Sequence, residues 1–456
     1  MKQYSNLFLT AVVVITSVVT EAQLTVNGAQ LFLESGAVIS VQGDVTATTD
    51  ILGPGKILLI GTTNQNLNMN GFTIPVLEIN NTANATLTGD LRIGTSLTFT
   101  NGKIKTANFN FTLSNVATFS GAGTSKFLET TGTGQVFNEI TANISAKEIP
   151  VGAGTSYRPA FITTSGTYSN AKVGVKVLGA SSPNKPPKIS DFVKAYWPVT
   201  KSGITGTVTI KGQYIDGSDV TGSEGNLKGY FFNGTDWSSV SETHSVVTNQ
   251  VSAPVTSNSG QLTALDKFDL LKAKIFLQGA YNTVTGVMSD GLRKPTNVIP
   301  LSDPYRTAPY STQFTHVANS GAETALASVF NDQSSTNDDI VDWVFLELRD
   351  NASSPGNTVL QTRSALLQRD GDVVDIDGVS PVTFNNITSA NYTISVRHRN
   401  HLGVSTNPAV LTPALAETKS TAPLVDLTTA SDAQLYGTAS AFVLSSGKNL
   451  LWAGDA

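Results

Sequence analysis

Residues 85–99, "ATLTGDLRIGTSLTF", alternate with a period of two. Leu87, Leu91, Ile93, Leu97 and Phe99 hold odd positions, and Thr86, Thr88, Asp90, Arg92, Ser96 and Thr98 hold even ones. Successive side chains of a strand point to opposite faces, so this pattern predicts strands buried on one side and wet on the other. The same parity returns at Phe109, Phe111 and Leu113 against Asn108, Asn110 and Thr112, with Gly and Asn turns between. Partial repeats accompany it: "GDVTATT" at 43–49 answers "GDLRIGT" at 89–95, and "NQNLNMN" sets Asn64, Asn66, Asn68 and Asn70 opposite Leu67 and Met69. Aligned asparagines suit stacked coils, where side-chain amides bond from rung to rung. Residues 23–145 are therefore predicted to form a small β-solenoid, the alternative being a sandwich with Asn-rich turns.

After Ile149 the texture changes but the alternation persists. Val173, Val175 and Val177 oppose Lys172 and Lys176, and Val208, Ile210 and Tyr214 oppose Thr207, Thr209, Lys211 and Gln213. Asn233-Gly234 marks a hairpin between aromatic flanks, and the prolines of "SSPNKPPK" at 181–188 place that stretch in a loop. Residues 146–270 read as a β-sandwich. In the last part, 271–456, "DIVDWVFLELRD" sets Val344, Leu346 and Leu348 against Trp343, Phe345, Glu347 and Arg349, and Asp370-Gly371 turns a second hairpin. An immunoglobulin-like sandwich is expected here, with the Pro-rich segment 285–309 covering a sheet edge. The fold class is thus all-β: a short β-solenoid followed by two β-sandwich domains.

Composition agrees with this class and narrows the partners. Length, 456 residues, allows roughly three domains. Only 14% of residues are charged and the net charge is -5, which supplies no basic field for nucleic acid. There is no cysteine, hence no disulfide, thiolate metal site or cysteine nucleophile. Residues 1–22 read as a signal peptide: a lysine, the apolar run "LFLTAVVVITSVV" and small residues Thr20 and Ala22 before the expected cut. The run is too short to span a bilayer and no second candidate follows. The mature chain is expected outside the cell or on its surface, without a transmembrane segment.

Chemistry-bearing clusters are sparse. Two of the four histidines and two arginines share "ISVRHRNHLG". Strand parity puts His398 on the apolar face with Ile394 and Val396, and Arg397, Arg399 and His401 on a solvated polar face. Two histidines at i and i+3 of one strand point apart and cannot share an ion unless the chain turns before His401. The polar trio is a candidate patch for an acidic sugar or another anion, against the plainer reading of arginines paired with carboxylates. Asp338, Asp339, Asp370, Asp372, Asp375 and Asp377 are weak calcium candidates whose spacing fits no EF-hand loop. Trp197, Tyr230 and Trp237, with Tyr196, fall near turns and are candidate sugar-stacking rings, the alternative being core packing. No G-x-S-x-G, H-E-x-x-H or P-loop occurs; "GPGKILL" lacks the spacing and the hydroxyl residue after lysine. No catalytic residue, cofactor or metal is assigned, and the chain is expected not to be an enzyme.

"KIFLQGAYNTVTGVMSDGLR", "VIPLSDPY", "VDWVFLELRD", "ALLQRDGDVVDIDG", "ISVRHRNHLGV" and "LWAGDA", an ordered set over about residues 271–456, resemble the carboxyl-side module of large secreted, adhesin-like surface proteins of Bacteroidetes bacteria. The resemblance implies export, in many members by type IX secretion, and adhesive or structural roles. It carries over no catalytic residue. Similar proteins continue past "GDA" into a dockerin-like repeat and a sorting signal, neither of which is found here, so the sequence is expected to be a fragment. The expected function is adhesion or scaffolding through non-covalent contacts with surface partners, polysaccharide among them. A carbohydrate-active enzyme or its accessory module is the first alternative, although a solenoid of five or six coils offers little groove for a polysaccharide. A structural spacer for distal modules is the second.

Overall fold

The computed structural model describes residues 22–239, 244–318, 321–331, 334–351, 358–387, 391–436 and 442–454. The expected leader lies outside them, apart from Ala22. Strands and short 3-10 turns make up the regular structure of the described residues, and none of it is α-helical. Among the described residues no helix is long and apolar enough to cross a membrane. The chain divides into two compact units, one running to Thr141 and taking in Pro150–Tyr157, the other comprising Ala142–Ile149 and the chain from Arg158 onward.

The first unit is a β-solenoid of about six coils, as the sequence predicts. One side stacks seven short parallel strands, Leu24–Val26, Val45–Ala47, Gln65–Asn68, Ala85–Leu87, Ile104–Lys105, Leu128–Glu129 and Val151–Ala153. Ile104 pairs with Ala85 on one flank and Leu128 on the other, so a coil takes about 19–24 residues. The opposite side runs through Val38–Val41, Lys56–Leu59, Thr73–Asn80 and Leu91–Asn101. Leu67, Met69, Leu87, Leu91, Ile93, Leu97, Phe99, Phe111 and Leu113 fill the interior and are at most 1% exposed, which bears out the odd-position face. Phe109 lies in the turn before its strand and is only half-buried.

Polar residues join successive coils. Asp44 accepts the backbone N–H of Asn66 at 2.7 Å and its side-chain amide at 3.0 Å, and Asp90 accepts the N–H of Asn110 at 2.8 Å. The two "GD" repeats, about two coils apart, therefore do the same work, each bonding to the coil that follows it. The Asn101 side-chain amide donates to the Asn80 side-chain oxygen Oδ1 at 2.7 Å, an asparagine rung of the expected kind. Gly102 turns the chain at φ +83°, where a Cβ would sit 1.8 Å from the Asn81 carbonyl oxygen; only glycine fits.

The second unit opens on a long antiparallel pair, Ala160–Val175 with Trp197–Gln213. Trp197–Gln213 also pairs with Gln250–Pro254 and Ser259–Asp266, and Leu227–Phe232 joins the far side of Ser259–Asp266. Val173, Val175, Val177, Val208, Ile210 and Tyr214 are buried as their parity requires. The Asn233-Gly234 hairpin exists with a four-residue loop: Phe232 pairs with Trp237, and the Asn233 side chain caps the N–H groups of Thr235 and Asp236.

The following sheet runs Val382–Asn385, Phe268–Lys274, Asp372–Val374, Val359–Gln368, Ile340–Arg349, Thr393–His398, His401–Ser405. A domain boundary at 270/271 would cut the strand Phe268–Lys274, and the described residues from Arg158 onward belong to one compact unit. Val344, Leu346 and Leu348 pack into one core, under short pieces that include Leu415, Val425, Leu427 and Leu450. Trp343 and Phe345 face a second core with Ile299, Tyr305, Phe314 and Phe330. The Pro-rich segment thus covers a face of the sheet rather than its edge. Reciprocal hydrogen bonds hold it there: Tyr305 Oη donates to the Trp343 carbonyl at 2.8 Å, and Trp343 Nε1 donates to the Pro300 carbonyl at 2.8 Å.

Candidate functional site

Local chemistry brings five stretches of the second unit around a cavity of about 300 Å³. The loop predicted from its prolines contributes Pro183 to Pro187. The Asn-Gly hairpin presents Phe232 and Trp237, and the strand Phe268–Lys274 presents Phe268 and Leu270. Asp377, Ser380, Pro381 and Thr383 form the wall beyond, and Lys419 stands at the rim. Loops supply most of this lining, on a scaffold of paired strands that fixes their positions.

The aromatic walls are held rigidly. Trp237 donates its indole N–H to the Asn184 carbonyl at 3.2 Å, lies tilted against Phe232 with centroids 5.0 Å apart, and meets Tyr230 edge-on at 6.3 Å. Tyr230 in turn stacks on Phe268 at 5.0 Å. Among the polar groups, Lys185 donates from Nζ to the Ile189 carbonyl at 2.9 Å and sits over the Phe192 ring at 4.8 Å. Burial pushes its pKa down. Asp377 uses Oδ1 to cap the N–H groups of Val379 and Ser380. The buried Thr383 hydroxyl has no hydrogen-bond partner. Behind the aromatic wall, burial and the neighbouring Asp191 push Asp266 up to about 7.

Of the residues proposed as sugar-stacking rings, only Trp237 lines this cavity. Trp197 and Tyr230 are wholly buried, and Trp237, 5% exposed, shares a core cluster with Tyr230, so the core reading holds for all three. Trp197 donates its indole N–H to the Arg158 carbonyl at 3.1 Å. A second depression of about 370 Å³, lined by Lys272, Lys274, Asp372 and Val379, has no aromatic wall, and Lys274 there is already paired with Asp372 at 3.0 Å.

The histidine-arginine stretch differs from its strand-parity reading. The strand ends at His398, the chain reverses through Arg399 and Asn400, and His398 faces His401 across the new pair, with their Nδ1 atoms 2.9 Å apart. The side chains therefore meet. The remaining ring nitrogens face acceptors: His398 Nε2 faces Asp342 at 3.2 Å and His401 Nε2 faces the Gln278 carbonyl at 2.9 Å. All three contacts are hydrogen bonds only when the pair holds three protons, one more than two neutral imidazoles carry. Nor is the polar face solvated. Asp342 and Glu347 are 3% and 4% exposed beneath the covering segment, and they take Arg399 at 2.7 Å and Arg397 at 2.8 Å. Arg397, Arg399 and His401 thus serve internal bonds instead of forming an open anion patch.

The calcium candidates are dispersed. Asp339 holds Arg293, Asp370 and Asp372 hold Lys274, Asp375 holds Arg363, Asp377 caps a turn, and Asp338 is exposed. A constellation the sequence reading did not single out joins Asp303, His316 and Glu323, whose ligand-type atoms lie within 4.8 Å of one another. His316 Nε2 is 3.0 Å from Asp303, and although burial opposes it, the His316 and Tyr305 hydrogen bonds hold the Asp303 pKa below the ordinary carboxylate value. Arg306 reaches both carboxylates, and Lys188 and Arg363 each approach Glu323 at 3.4 Å. With Asp375 on Arg363, three carboxylates already meet three cations. A divalent ion would be repelled by the cations that neutralise its ligands, so the cluster locks the covering segment to the sheet. Its members are far apart in sequence, and no local spacing announces them.

Comparison with protein families, characterised proteins and solved structures finds no match to this chain.

Proposed function

We propose that this chain is an exported cell-surface protein that adheres or scaffolds by non-covalent binding of glycans through the aromatic cavity of its second unit. The observation that carries this reading is the half-buried Phe232 ring, backed by the buried Trp237 and Phe268, beside Lys185 and Asp377, because a flat ring stacks on a sugar face while the polar groups meet hydroxyls. Export and surface placement rest on the leader and on the resemblance to Bacteroidetes adhesin-like proteins. The covered sheet of residues 268–405 supports a sandwich-type module, of the immunoglobulin-like kind expected from the strand pattern. A binding role is favoured over catalysis because glycoside cleavage needs a pair of carboxylates, whereas Asp377 is the single carboxylate among the described residues lining the cavity.

A panel of immobilised polysaccharides tests this with the full chain. Retention is expected, with no release of reducing ends, and Phe232→Ala should weaken it about tenfold, in line with the loss of one stacking contact. Released reducing ends would favour the enzyme alternative. Absence of binding across the panel would favour the spacer.

A further inference from the structure

We infer that the glycan bound by this cavity carries a carboxylate, that is, an acidic sugar such as a uronic or sialic acid. This rests on the proposed glycan reading and adds the charge of the ligand. Two of the residues around the cavity, Lys185 and Lys419, are lysines, and neither ammonium reaches a carboxylate within the described residues. Their neighbours behave differently: Lys228 is paired with Glu417 at 2.7 Å and Lys188 with Glu323 at 3.4 Å. Lys185 is half-buried, its ammonium donates only to backbone carbonyls and lies over the Phe192 ring, and the one carboxylate that acts on it, Asp266, makes no ion pair with it, so it is a desolvated cation only partly compensated. Such a charge is a standing cost to the folded protein, and an anion brought beside it recovers that cost as binding energy.

The opposing groups do not cancel this field. Among the lining residues two lysines meet one aspartate, Asp377, whose Oδ1 is committed to its own turn, while Asp266 lies behind the lining with its pKa raised to about 7 by burial and offsets Lys185 only in part. Aromatic walls select a ring with a flat apolar face, and the paired lysines select a negative charge on it. An acidic sugar has both properties in one residue, whereas a neutral hexose leaves Lys185 unpaired. Free phosphate or an acidic peptide answers only the charge.

Isothermal titration of the full chain with acidic oligosaccharides and their methyl esters isolates the charge. Suitable pairs are oligogalacturonate, hyaluronan fragments and sialyllactose, each against its ester, with a glutamate-rich peptide as a further ligand. At least one acid is expected to bind ten or more times tighter than its ester, with the preference shrinking as salt is raised. Lys419→Gln and Lys185→Gln should each cut the preference for the acid over its ester about fivefold. Lys419, on a half-exposed loop, is the variant that spares the core should Lys185→Gln disturb folding. Equal affinity for acids and esters overturns this inference and leaves the glycan reading intact. Equal affinity for the peptide overturns the sugar as the source of the carboxylate. Binding of no saccharide overturns the glycan reading, and this inference with it.

Discussion

The two units handle polar groups in opposite ways. In the solenoid the bonds are local, even and repeated: Asp44 and Asp90 each cap the next coil, and Asn80 meets Asn101 one rung on. In the second unit several polar contacts are buried and join stretches far apart in sequence. Arg158 binds Asp219 in a fork at 2.8 and 2.7 Å, Lys228 reaches Glu417 across the sheets, and Asp303, Glu323 and Asp375 share three cations. A stack can distribute its stability over equivalent rungs, because each coil meets only its neighbours. A unit that brings distant stretches together concentrates the risk in single buried pairs.

Breaking one such pair should give the largest effect. Asp219→Ala strands the Arg158 guanidinium in the core and is expected to cost about 3–5 kcal/mol in urea unfolding. A loss under 1 kcal/mol would mean that the second unit spreads its load as the solenoid does.

An intermediate effect separates the units by pH. Asp266 is wholly buried, and burial with Asp191 raises its folded pKa to about 7 from an ordinary value near 3.8. The folded state therefore holds this proton more tightly than the unfolded chain. That contribution is complete below the unfolded pKa and is lost as pH rises from about 4 through about 7. In the solenoid Glu78 goes the other way: hydrogen bonds from Lys56 and Thr100 hold its pKa down, so its smaller contribution is lost as pH falls. Asp266→Asn should raise stability at pH 8 by about 1–3 kcal/mol and flatten the pH dependence of melting of the second unit. An unchanged pH profile would remove Asp266 as its cause.

The smallest expected effect tests the evenness of the solenoid. Asp90→Ala leaves one N–H uncapped and should cost about 1 kcal/mol, and Asp44→Ala should cost about the same or slightly more for its extra amide bond. Thermal melts that differ between these variants by several kcal/mol would show that the coils are not energetically equivalent.

These contrasts explain how far the sequence could be read. The solenoid was legible because its strands alternate with one parity and its aspartates recur, "GDVTATT" and "GDLRIGT" lying about two coils apart and making the same bond. Burial of Leu91, Ile93, Leu97 and Phe99 followed from alternation alone. The cavity was only partly legible. Its proline loop, its Asn-Gly hairpin and Trp237 stood out singly, but nothing in the chain said that residues 183–187, 232–237, 268–270, 377–383 and 419 converge. The histidine pair was misread because strand parity fails at a reversal, and the turn at Arg399–Asn400 carries no glycine or proline to mark it.

What the sequence alone determined is the all-β class, the stacked coils and which face of most strands is dry, since these depend on side chains a fixed step apart along one chain. Tertiary structure decided the rest: that the Pro-rich segment covers a face, that Asp342 and Glu347 are buried with their arginines, and that Lys185 is half-buried without an ion pair beside aromatic rings. Those outcomes depend on desolvation and on charges separated by tens to hundreds of residues, and no local pattern encodes either.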